Sequence, residues 1–123
     1  MKAKLYIFFS ILIGLAACND ENSPTNINGE YVGTFERNGN TAEVELTFLN
    51  GGFSGESEIN KYPAICNGTY TTSGNRITFV NGCAWTAEFD WTLILGGEWE
   101  FSVNTDVLTL NHSNGDKYML NKK

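Results

Sequence analysis

From Gly29 to the C-terminus, apolar and polar residues alternate with a period of two. In Glu43-Val44-Glu45-Leu46-Thr47-Phe48 the side chains of Val44, Leu46 and Phe48 share one face, because successive residues of an extended chain point to opposite sides. Glu98-Trp99-Glu100-Phe101-Ser102-Val103 repeats the pattern. The longest run goes from Ala87 to Leu95, with Ala87, Phe89, Trp91, Leu93 and Leu95 on one side and Glu88, Asp90 and Thr92 on the other. Helical spacing scatters these sets around a cylinder; strand spacing separates them. Between the runs stand Asn38-Gly39-Asn40, Asn50-Gly51-Gly52, Ser73-Gly74-Asn75, Gly96-Gly97 and Ser113-Asn114-Gly115, which tolerate the positive φ of tight hairpins. Asn104-Thr105-Asp106 makes a further turn. Strands are therefore predicted at 30–37, 42–49, 53–59, 67–72, 76–80, 86–95, 98–104, 107–112 and 116–121. Segment 60–66 contains Pro63 and breaks the alternation, so it is a longer connection.

Eight or nine short strands joined by consecutive hairpins form an up-and-down meander. Left open, such a sheet exposes an apolar face and two edges, and closure removes both. The expected fold is all-β, a small antiparallel up-and-down barrel. A two-sheet sandwich satisfies the same pattern and comes second.

Upstream, Lys2 and Lys4 precede a stretch from Leu5 to Ala17 that is apolar or small throughout. A cationic head, a short apolar run and a small-residue end make a secretory signal, too short to span a bilayer comfortably. It ends in Leu15-Ala16-Ala17-Cys18, which resembles the lipobox of bacterial lipoproteins. The resemblance implies a signal peptide at 1–17, cleavage before Cys18, lipid on its thiol, and anchoring in a membrane. An ordinary cleavable signal is the alternative. Asn19 to Asn28 is Asn, Asp, Glu, Ser, Pro and Thr with a single Ile, so 18–28 reads as a lipidated Cys and flexible tether, and 29–123 as the barrel. Asn19-Asp20-Glu21 also looks like the acidic stretch that marks surface export in Bacteroidetes lipoproteins, although a solvated spacer accounts for it equally well.

The formal charge of the chain is −6, from eight basic and fourteen acidic residues. Without Lys2 and Lys4, six basic residues face the same fourteen acids, which leaves −8. No basic patch suits nucleic acid, and the sign opposes electrostatic adsorption to an anionic membrane. With Cys18 set aside for lipid, Cys66 and Cys83 form an even pair in an exported chain, where a disulfide is expected; two free thiols are the alternative. No CxxC or paired His suggests zinc.

The stretches Phe89-Asp90-Trp91-Thr92-Leu93-Ile94-Leu95, Gly97-Glu98-Trp99-Glu100-Phe101, Asp106-Val107-Leu108-Thr109-Leu110 and Tyr118-Met119-Leu120 resemble small lipocalin-like lipoproteins of Bacteroidetes. Gly29-Glu30-Tyr31 stands where true lipocalins carry Gly-x-Trp. The resemblance implies a calycin-type barrel in the cell envelope, as an outer-membrane lipoprotein. It implies no activity.

Candidate chemistry is sparse. Glu43/Glu45, Glu56/Glu58, Glu88/Asp90 and Glu98/Glu100 each put two carboxylates on one polar strand face. A solvated outer wall explains them better than a calcium site or a patch for a basic partner. His112, the only histidine, has no nucleophile motif around it and is read as a strand-end residue. No catalytic residue, metal or cofactor is assigned. The aromatic inventory, with Tyr31, Phe35, Tyr70, Trp91, Trp99, Phe101 and Tyr118 on inward phases, is the candidate binding surface. So many rings favour a filled core, yet the small inward residues Gly33, Gly55, Ser57 and Gly68 leave room for a hollow walled by Tyr31, Tyr70 and Trp99. The leading expectation is a monomeric, non-enzymatic, lipid-anchored module that binds a small apolar ligand. The second is an inhibitor of a lysozyme or protease that works through the 60–66 loop, with acidic charge matching a basic partner.

Overall fold

The computed structural model describes residues 26–86 and 88–123. The signal, Cys18 and the tether as far as Thr25 lie outside the described residues, as does Ala87. Eight strands follow in order: β1 (Gly29–Arg37), β2 (Asn40–Leu49), β3 (Gly52–Ser57), β4 (Asn67–Ser73), β5 (Arg76–Asn81), β6 (Gly97–Asn104), β7 (Val107–Asn111) and β8 (Lys117–Lys122). Each pairs antiparallel with the next, and β8 pairs antiparallel with β1, so the sheet is a closed barrel. Tight turns joining the strands carry Asn38, Asn50 and Thr105 at positive φ, with Gly39, Gly51, Gly74 and Gly115 beside them or in the remaining turns.

The predicted strand at 86–95 is absent. That segment belongs to a long β5–β6 connection holding one short 3-10 turn, Trp91–Leu93, capped where the Asp90 carboxylate accepts the Thr92 N–H. Parity is the physical reason. A meander closes antiparallel only with an even number of strands, since a ninth would run parallel to β1. The alternation of 87–95 is real in sequence but has no free strand edge to pair with.

Most inward phases are as read from the sequence; Val103, expected inside with Trp99 and Phe101, is exposed near the end of β6. Tyr31, Phe35, Val44, Leu46, Phe48, Phe53, Ile77, Phe79, Trp99, Phe101, Leu108, Leu110, Tyr118 and Leu120 make one buried cluster. Ile27, expected in the tether, is also part of it, only 1% exposed. The Tyr31 hydroxyl donates to the Ile27 carbonyl at 3.0 Å, and the Asn28 side chain exchanges hydrogen bonds with Asn50. The ordered domain therefore begins before Gly29, because an apolar side chain at the open end of the barrel gains by covering it.

The topology sorts the connections. The β2–β3, β4–β5 and β6–β7 turns lie at one end together with Ile27. The β1–β2 turn, the 58–66 and 82–96 connections and the β7–β8 turn lie at the other. With about 3.3 Å rise per residue and the usual barrel tilt, the two ends are roughly 20 Å apart.

Candidate functional site

The barrel interior is occupied by its own rings. Phe35 lies 5.0 Å from Tyr118, and Tyr118 lies 5.3 Å from Trp99. Phe48 meets Tyr31 at 5.6 Å and Tyr70 at 5.3 Å, both edge to face. Tyr31, Phe35, Trp99, Phe101 and Tyr118 are buried, and Tyr70 is half-buried. Burial pushes the Tyr118 hydroxyl well above the usual tyrosine range and raises that of Tyr31. Trp91 departs from the expected set: it lies on the 3-10 turn outside the barrel and is 56% exposed. The helical turn rotates it away from the phase that strand geometry would have imposed.

The small inward positions do not add up to a hollow. A Cβ at Gly33 would strike the Met119 carbonyl, and one at Gly55 the Glu45 carbonyl, so neighbouring backbone occupies the space. Gly68 meets Val80 in the same way. The Ser57 hydroxyl lies 2.7 Å from the carbonyls of Ile59 and Pro63, and its single proton serves one at a time. Among the described residues, grooves of about 270–500 Å³ are lined mainly by residues of the outer wall. The groove lined by Glu43, Glu45, Glu56 and Glu58 gathers two of the acid pairs. Among the described residues, no group of three or more His, Cys, Asp or Glu is arranged to hold a metal ion. The His112 ring packs edge-on against Trp99 at 4.8 Å, and its Nδ1 accepts the Asn114 N–H, as befits a strand-end residue.

The connection end is closed by a lid made of two loops. Cys66 and Cys83 are joined in a disulfide, which ties the end of the 58–66 connection to the start of the 82–96 connection. Their backbones then pair: Ala64 N–H donates to the Leu93 carbonyl and Leu95 N–H to the Ala64 carbonyl, each at 3.0 Å. Pro63, Ala64, Ile65 and Leu95 are buried beneath, and Tyr62 meets Phe35 edge to face at 5.5 Å. The 60–66 loop is therefore a plug rather than a projecting finger. Apolar residues in an irregular segment hold it down.

Charge seals the same end. Continued one pair beyond Glu36–Lys117, the β1–β8 register sets Arg37 opposite Asp116, both on inward phases at the rim. The guanidinium donates to both oxygens of Asp116, at 2.7 and 2.6 Å, and Asp116 is 3% exposed. A third arm reaches Asp90 at 3.0 Å, fixing the 3-10 turn to the rim. The bond from Asp116 holds Arg37 above its ordinary value, and hydrogen bonds from the Thr92 hydroxyl and N–H lower the Asp90 carboxyl. The sequence reading missed this network, although alternation through Arg37 and Asp116 carries each charge to an inward position.

The 82–96 connection carries an aromatic strip, exposed at Trp91 and half-buried at Trp85 and Phe89. Trp85 and Phe89 have ring centroids 5.8 Å apart, and Phe89 and Trp91 lie 6.2 Å apart. The Lys61 ammonium sits 5.5 Å from the Phe89 ring centre. Among the described side chains, only the Trp85 indole N–H is buried without an acceptor. Trp85 and Lys61 were not singled out from sequence, because nothing in a linear pattern brings Lys61 beside Phe89. No protein-family model, curated protein or solved structure matches this chain.

Proposed function

We propose that the protein is a non-enzymatic binding module of a bacterial cell envelope, held to the outer membrane by lipid on Cys18. It engages a protein partner through the lid end of the barrel. The observation that carries this reading is the filled interior with both ends plugged, Ile27 at one and the 58–66 and 82–96 loops at the other. A small apolar ligand inside the barrel would have to displace rings that already pack on one another. An inhibitor inserting the whole 60–66 loop would have to pull Pro63, Ala64 and Ile65 from the core, so of that loop only Lys61 is left to make contact, together with Trp85, Phe89 and Trp91. The lipobox and lipocalin-like resemblances support the envelope location.

The test is native mass spectrometry of the full chain purified from a bacterial envelope in mild detergent. The expected result is the bare protein mass with its lipid modification. A further mass that disappears on denaturation would instead identify a carried ligand and end the protein-partner reading.

A further inference from the structure

Two features of the lid's outer strip are not needed to close the barrel. The first is the strip itself. Pro63, Ala64, Ile65, Leu95 and the Arg37–Asp116 pair already cover the mouth, yet Trp91 stays 56% exposed beside Phe89 and Trp85. The Trp85 indole N–H in the same strip has no acceptor within the described protein. The second is a cation already in place. Lys61 stands over Phe89 at 5.5 Å, inside the ~6 Å range of a cation–π contact. It reaches that ring from a left-handed backbone, φ 61°, which is uncommon for a non-glycine residue.

We propose that Trp85, Phe89 and Trp91 form a seat for lysine and arginine side chains of a basic protein partner, with Lys61 as the resident cation that the partner's side chain joins or displaces. This rests on the binding-module reading and names the partner's chemistry. Charge supports it: the chain after its signal carries −8, and the exposed acids Glu58 and Glu88 lie on the two loops that bear the strip. Charge of that sign steers a basic partner in, and aromatic anchors ringed by polar side chains hold it. Ring geometry supports it as well. The planes are inclined by 64° and 38°, so they make no flat platform for a sugar but present separate faces and edges to long cationic side chains. A membrane surface fits poorly, because the chain enters the barrel at the opposite end, beside Ile27.

The test uses the full chain in zwitterionic micelles, with a hexa-arginine peptide as the probe and the three indole N–H signals in NMR as the readout. Trp99 is buried and donates to the Gly96 carbonyl, which makes it an internal control. The expected result is movement of the Trp85 and Trp91 signals while Trp99 stays still. Trp91→Ala, at an exposed site, should keep a dispersed spectrum and weaken the peptide about two- to fivefold, the worth of an exposed cation–π contact. Glu43→Gln with Glu45→Gln on the outer wall should change the affinity by less than this. Peptide binding that follows the wall glutamates with unmoved Trp85 and Trp91 signals would overturn the seat, as would no binding at all. Either failure alongside a bare native mass would leave the binding-module reading standing with a different contact. A carried ligand would remove that reading whatever the indole signals do.

Discussion

Arg37 ends β1 on an inward phase, a position where a charge is costly unless a partner meets it there. Asp116 does so with both carboxylate oxygens, and Asn114 adds a third bond to the same carboxylate at 3.2 Å. Removing one member of such a pair costs more than the pair itself contributes, because the other is left buried with its charge unpaired. Arg37→Met should therefore destabilise the domain by about 3 kcal/mol, read as a shift in the midpoint of urea unfolding. Arg37→Met with Asp116→Leu should recover most of that loss. If the single variant costs under about 1 kcal/mol, the range of exposed pairs, the rim pair is not a seal. The pair was readable in principle: the inward phase of the predicted strands 30–37 and 116–121 runs through Arg37 at the end of one and Asp116 at the start of the other. Their contact was not readable, since 79 residues separate them and only the β1–β8 closure brings them opposite.

At the level of elements, eight of the nine predicted strands exist with ends shifted by a residue or two, because each hairpin states its register twice, in the alternation and in its turn residues. The ninth run satisfied the alternation alone. What overrode it was pairing: the 3-10 turn at 91–93 and the Ala64–Ile94 bridge tie that segment to the 58–66 loop instead of to β5. The candidate binding surface suffered for the same reason. Residues predicted to line a hollow line a packed core, and the aromatic strip is built from a loop that packs against Lys61 of another loop. The disulfide is the covalent part of that arrangement. Its two cysteines are 17 residues apart, so removing it as Cys66→Ser with Cys83→Ser should cost about 3 kcal/mol of loop-closure entropy. The loss should also be local in kinetics. Amide exchange at Ala64 and Leu95, which hold the lid together, should speed up well before exchange in the β1–β2 ladder. Equal acceleration everywhere would mean that the lid is not a separate unit.

For the whole molecule, the two ends of the barrel have different neighbours. The chain arrives beside Ile27, where Tyr31 and the Asn28–Asn50 pair fix it, and the aromatic strip lies on the loops of the opposite end. From that end the barrel extends roughly 20 Å to the lid. A lipid on Cys18 would thus hold the domain with its lid facing away from the bilayer, toward whatever passes above it. If the chain carries a lipid on Cys18, reconstituting it in vesicles containing brominated phospholipid tests this orientation, because bromine quenches indole fluorescence only near contact. Emission from the exposed Trp91 should match that in vesicles without bromine. Quenching that disappears in Trp91→Phe would place the strip in the membrane interface, where aromatic residues also settle. The lid would then be a second anchor rather than a face offered to a partner.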